Sequence, residues 1–159
     1  MKGPITPCLW LNNQAEEAAK FYTSVFKDSK IIATSYYPKE GYEVHHQKEG
    51  TVMTVVFEIN DQKITALNGG DLFRFSEAIS FQVFCESQDE IDYYWQKLTQ
   101  GGEEGPCGWL KDQFGLSWQI VPWFMEELMK NPLTAGKVMT ALLPMKKLQI
   151  ETLKKAAQQ

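Results

Sequence analysis

Few side chains in this chain could do chemistry at neutral pH: two adjacent histidines, His45 and His46, and three cysteines, Cys8, Cys85 and Cys107. An imidazole titrates near neutrality and can act as a base or a metal ligand. Adjacent residues on an extended chain point to opposite sides, however, so His45 and His46 are poorly placed to hold one ion together. They read as solvated loop residues, with a loop histidine reaching over a cleft as general base the alternative. The cysteines are odd in number, widely spaced and without a C-x-x-C pair, which fits a reducing, cytoplasmic setting. Cys8 and Cys85 fall in apolar strands and read as small core residues, and Cys107, in Gly105-Pro-Cys-Gly108, as the exposed one. Gly69-Gly70 and Gly101-Gly102 both lie in loops. Neither joins a strand to a helix with an acid about 20 residues further on, which is the arrangement a nucleotide cofactor needs.

Charge removes further classes. A net charge of −4 over 159 residues leaves no basic face to neutralise phosphates, so no nucleic-acid partner is expected. Lys146-Lys147 with Lys154-Lys155 reads as one solvated helix face. There is no basic-then-apolar leader and no apolar run of spanning length, so no membrane partner is expected either.

The elements that must position any site come from an internal repeat. Pro7–Val25 and Ser80–Leu98 share one pattern at a shift of 73 positions, Glu16 falling on Asp89, Phe21 on Tyr94, Tyr22 on Trp95 and Val25 on Leu98. Such a repeat sets the architecture and therefore where a pocket can lie. Ile5–Leu11 is a short apolar strand, and Asn13 with Glu16 can close a capping box on the helix that follows. Ala15, Ala18, Ala19, Tyr22, Val25 and Phe26 form its apolar stripe. Ser29–Tyr37 reads as a strand, Pro38–Gly50 as a polar loop, and Thr51–Ile59 with Lys63–Leu67 as a hairpin turning at Asn60-Asp61-Gln62. The second half repeats the order: strand Ile79–Cys85, helix Ser87–Leu98, a Gly-rich loop, and a hairpin over Gly108–Val121 turning at Asp112–Gly115.

The expected fold is therefore α+β, two β-α-β-β-β modules (about 4–70 and 77–122) in a domain of residues 1–122, forming a curved mixed sheet around a cleft. Residues 123–159 are a C-terminal helical extension, with helices expected over 123–130, from a Thr134 cap to Leu143, and over 146–156. Its Val138, Met139, Leu142, Leu143, Leu148 and Leu153 are too apolar to leave in water. They must pack on their own domain or on a second copy, and a homodimer is the expectation.

The duplicated order resembles the vicinal oxygen chelate superfamily, which includes glyoxalase I, bleomycin-resistance proteins and extradiol dioxygenases. Glu17–Phe26 looks like its first-helix pattern, and Lys111-Asp-Gln-Phe-Gly-Leu-Ser-Trp-Gln119 like its last turn and strand. Ile5–Asn12, Cys107–Gly115 and Gly136–Leu148 make the chain most similar to the PhnB-like subfamily, often labelled 3-demethylubiquinone-9 3-methyltransferase.

That resemblance implies a divalent metal acting as a Lewis acid, held by His, Glu or Gln side chains on four strands. Carried over position by position, the ligands fall on Pro7, Ser80, Gln119 and somewhere in Thr65–Asn68, where Asn68 is the one weak donor. A set without carboxylate or imidazole holds zinc, nickel or iron feebly, so no metal and no cofactor are expected. Alternation places Leu9 and Leu11 with Pro7, Gln82 and Phe84 with Ser80, and Ser117 and Val121 with Gln119, all on the cleft face. Ser80, Gln82, Gln119, Asn68 and Trp109 are the candidate ligand-binding residues, Trp109 and Trp10 being able to stack on a bound ring. Two functions follow as expectations: a metal-independent binder of a small, largely apolar molecule, or a lyase- or isomerase-type enzyme with a non-standard site. No catalytic residue is assigned.

Overall fold

A computed structural model of the chain describes residues 3–158. Positions 1, 2 and 159, the outer ends of the expected domain spans, lie outside them. The chain forms two compact units, 1–74 and 75–159, each with a four-stranded mixed sheet.

In the first unit, β1 (Cys8–Leu11), α1 (Ala15–Val25), β2 (Ser29–Tyr36), β3 (Val52–Ile59) and β4 (Gln62–Asn68) give the strand order β1-β4-β3-β2. β1 runs parallel to β4 and the other pairs are antiparallel. The apolar stripe of α1 is buried as its spacing requires, with Tyr22 stacked on Phe57 of β3 at 5.7 Å. Leu9, Leu11, Val55, Phe57, Ile64 and Ala66 complete this core. The β3–β4 turn is tighter than expected: Asn60 and Asp61 alone connect the strands, both at positive φ (45° and 62°). That is the conformation a two-residue hairpin needs, and one that Asn and Asp tolerate. Pro38–Gly50 is not wholly loop; a single helical turn, α2 (Tyr42–His45), sits within it.

In the second unit, β5 (Ser80–Cys85), α3 (Gln88–Thr99), β6 (Glu103–Glu104), β7 (Trp109–Lys111) and β8 (Ser117–Pro122) give the order β5-β8-β7-β6, with β5 parallel to β8. Ser87 caps α3, its side chain accepting the Glu90 amide. Ile91, Trp95 and Leu98 are buried on the same side as Leu110, Trp118 and Ile120. Asp112 organises the β7–β8 turn: Oδ1 accepts the amides of Phe114 and Leu116, and Oδ2 accepts the Trp118 indole N–H at 2.8 Å. This is why an acid opens that turn.

The tail packs within its own unit. Helices α4 (Met125–Lys130), α5 (Pro132–Leu142) and α6 (Ile150–Gln158) close Val138, Leu148 and Leu153 over Val121 of β8. The α5 cap is Asn131, whose side chain accepts the Leu133 amide ahead of Pro132; the expected cap at Thr134 lies inside the helix, where its hydroxyl donates to Leu128 O. Gly108 lets the tail come close: at φ +84°, a Cβ there would lie 3.1 Å from Leu148, and the Cys107 and Gly108 amides donate to Met145 and Lys146 carbonyls at 2.7 Å.

Candidate functional site

The face of the second sheet opposite α3 carries Ser80, Gln82 and Phe84 on β5, Ser117, Gln119 and Val121 on β8, and Trp109 and Lys111 on β7. The register settles this: Gln82 lies beside Gln119, Ser80 beside Ser117, and Trp109 opposite Gln119. Their alternate neighbours Trp118, Ile120 and Leu110 fill the helix-side core. Three of the expected residues form one chain of uncharged hydrogen bonds: Gln82 Nε2 donates to Gln119 Oε1 at 3.3 Å, and Gln119 Nε2 donates to Ser80 Oγ at 2.8 Å. Trp109 stands at the end of the row, its backbone fixed by the Gly105 amide donating to Trp109 O at 2.8 Å.

A cavity of about 350 Å³ adjoins this row and is lined by Trp109, Ser117, Lys111, Glu77, Glu103 and Glu104 together with the β6–β7 turn. Lys111 Nζ meets Glu77 Oε1 at 2.6 Å. That hydrogen bond holds the Glu77 carboxyl below its ordinary range and lifts Lys111 above its own. Glu104 accepts the Trp95 indole N–H at 2.9 Å. Sequence reasoning missed these charged residues because β6 and the 75–79 segment lie outside the repeated strand and helix.

Asn68 does not belong to an open face. It pairs with Leu11 on the helix side of the first sheet, 6% exposed, with Oδ1 accepting the Ala15 amide at 2.8 Å and Nδ2 donating to Val52 O at 3.0 Å. Both ends of its amide are engaged within the first unit, and it supplies the α1 cap expected of Asn13, which instead turns at φ 59°. Leu9 and Leu11 are likewise helix-side core, so Cys8 and Trp10 take the other face, correcting the alternation expected for β1. The reason is one residue of linker. Asn12-Asn13-Gln14 separates β1 from α1, whereas only Glu86-Ser87 separates β5 from α3, and a one-residue slip turns every strand side chain over. Leu11 corresponds to Cys85, since each accepts an amide from the residue just past its parallel partner strand, Gly69 and Trp123. Cys8 is exposed rather than core; Cys85 is buried as expected, and Cys107 is half-buried. Trp10 is held by Gly70 O at 2.9 Å and by the edge of Phe73, and its ring leaves no room for a side chain at Gly69. His45 and His46 belong to α2 and its cap, His45 against the Tyr37 ring at 4.6 Å.

A divalent metal does not fit the donors on this face. Ser80, Gln82 and Gln119 offer hydroxyl and amide groups only, and Gln119 spends its amide oxygen on Gln82. Among the described residues, no three His, Cys, Asp or Glu side chains gather where they could hold an ion.

Residues 3–121 match the family described as 3-demethylubiquinone-9 3-methyltransferase. The chain belongs to that family. A family member of known structure, a PhnB protein from Bacillus cereus, is 36% identical over 75% of this chain and 99% of its own, with a TM-score of 0.65. A protein from Pseudomonas aeruginosa shares the fold at 16% identity, 76% and 98% coverage and a TM-score of 0.60. So does FosX, a fosfomycin resistance protein from Listeria monocytogenes solved with Mn(II) and sulfate, at 18% identity, 82% and 97% coverage and a TM-score of 0.54. These likenesses show one shared α+β fold, which in this chain has two four-stranded mixed sheets. No curated protein matches the chain. Among the described residues, no helix is long and apolar enough to cross a membrane.

Proposed function

We propose that this protein binds a small, largely apolar organic molecule on the open face of its second sheet, through uncharged hydrogen-bonding side chains and without a divalent metal. The observation that carries this is the Ser80–Gln119–Gln82 row, in which Ser80 and Gln119 put neutral groups at two of the positions where the family resemblance puts metal ligands. Amide and hydroxyl groups do not titrate near neutrality, so the row offers recognition rather than proton transfer. Trp109 gives the ligand an aromatic wall.

The methyl transfer in the family's name finds no support in the strand-to-helix turns. Asn12-Asn13-Gln14 and Glu86-Ser87 contain no glycine, whereas a nucleotide-type methyl donor is held by a Gly-rich turn at that point. The working form is a homodimer in a reducing compartment. Three free cysteines fit that setting, and the edge strand β2, with Ile31, Ile32 and Tyr36 exposed, offers an apolar surface for a second copy.

Native mass spectrometry of protein purified without additives tests the reading. The expected result is an organic adduct that Gln119→Ala loses. A stoichiometric divalent ion retained by wild type and lost by Gln119→Ala would overturn it.

A further inference from the structure

One buried polar atom of the second unit has no partner. Ser117 is 1% exposed, and its Oγ is the one buried side-chain nitrogen or oxygen among the described residues that lacks a hydrogen bond. Most buried hydroxyls in folded proteins are paired, because an unpaired one has given up water without gaining a partner. Here the residue forms part of the wall of the cavity beside Trp109. An alanine at this position would be the more stable choice, so the hydroxyl points to a role in the cavity itself.

The charges around it define what enters. Glu77 is answered by Lys111 at 2.6 Å, and Glu104 by the Trp95 indole at 2.9 Å and by Lys146 at 3.7 Å. Glu103, across the strand pair from Lys111, is the remaining carboxylate in the wall. Glu77, Glu103 and Glu104 against Lys111 and Lys146 leave one negative charge in excess, and with one indole and one unpaired hydroxyl they make a site for a cation with an apolar body.

We infer that the cavity binds a small organic ammonium ion, its charge toward Glu103, its apolar body against Trp109 and a polar atom meeting Ser117 Oγ. This rests on the reading of this sheet face as the ligand site and names the class of ligand it takes.

Three probes of one shape, each with a phenolic hydroxyl for Ser117 Oγ, separate charge from bulk: 4-(2-aminoethyl)phenol, 4-(2-hydroxyethyl)phenol and 4-hydroxyphenylacetate, titrated calorimetrically at pH 7. The amine binds at least about tenfold tighter than the other two, roughly 1.4 kcal/mol. Glu103→Gln, a change at an exposed residue, brings amine and alcohol to within about twofold. Ser117→Ala moves two readouts in opposite directions: amine affinity falls, while the melting temperature of the free protein stays level or rises. Equal binding of all three probes, preference for the carboxylate, no binding of any, or a lowered melting temperature in unliganded Ser117→Ala would each overturn the inference. Its failure is separable from that of the broader reading. A neutral or anionic co-purified molecule lost with Gln119→Ala leaves the ligand site standing and removes only the ammonium class. A stoichiometric divalent ion removes both.

Discussion

Asn68 reaches from the end of β4 to the start of α1, its side-chain oxygen 2.8 Å from the backbone nitrogen of Ala15, 53 residues away in sequence. The other end of the same amide donates to Val52 O, and the Asn68 carbonyl accepts the Tyr37 hydroxyl at 2.6 Å. One side chain therefore joins helix, sheet and the strand opposite. Asn68→Ala leaves a buried N–H and a buried C=O unpaired, at a cost of about 2–3 kcal/mol. Thermal unfolding should show that loss, with ligand binding on the second sheet retained in the folded fraction. A variant as stable as wild type would contradict the assignment.

Gln88 plays a comparable part in the second unit. Its Oε1 accepts the Ile150 amide at 2.9 Å at the start of α6, and its Nε2 donates to Leu148 O at 3.1 Å. Gln88→Ala frees the first turn of α6, costing about 1–2 kcal/mol. Limited proteolysis should then cut between α5 and α6 well before the rest of the chain. An unchanged digestion pattern would show that the apolar cluster alone holds the tail.

Beside it, Lys147 Nζ lies 2.6 Å from Asp92 Oδ1. That bond, and after it the one from Gln88, holds the Asp92 carboxyl below its ordinary value. A carboxyl depressed on folding contributes stability that is complete above its unfolded pKa of about 3.9 and is lost as pH falls through the lower folded value. Both partners are partly solvated, so the contribution is small. Between about pH 5 and pH 3 the melting temperature of wild type should fall more steeply than that of Asp92→Asn. Parallel curves would contradict the tether.

The cysteines separate by environment. Cys85 is fully buried, and burial, with Glu90 adding to it, pushes its thiol up to about 12. Cys8 is exposed. Iodoacetamide on the native protein should modify Cys8 and spare Cys85 until denaturant is added, as peptide mapping would show. Labelling of Cys85 at the rate of Cys8 would contradict the packing of β5.

Much of this was legible in the sequence, for identifiable reasons. The apolar stripe of α1 and the order of elements along the chain come from periodicity, which burial enforces. The neutral row of Ser80, Gln82 and Gln119 follows from alternation on β5 and β8. What stayed hidden depended on single residues or long range. The helix repeat holds at a shift of 73, but the shorter linker after β5 breaks it in the strands, so Leu9 and Leu11 changed faces and Cys8 came to the surface. The role of Asn68 needs a contact that no local pattern announces. The unpaired Ser117 hydroxyl becomes visible only once its surroundings are placed.

The position of the row can be tested by restoring what it lacks. Ser80→His with Gln119→Glu puts an imidazole and a carboxylate where Ser80 Oγ and Gln119 Nε2 now meet at 2.8 Å. Calorimetric titration with zinc should detect binding that wild type does not show. No heat from the double variant would contradict the proximity claimed for these two positions.

Elemental analysis of the untagged protein, purified without chelator from metal-replete medium, bears most directly on the central claim. With neutral groups at Ser80, Gln82 and Gln119, the divalent-metal content should be far below one ion per chain and unchanged in Gln119→Ala. One zinc, nickel, iron or manganese per chain, lost in that variant, would contradict it.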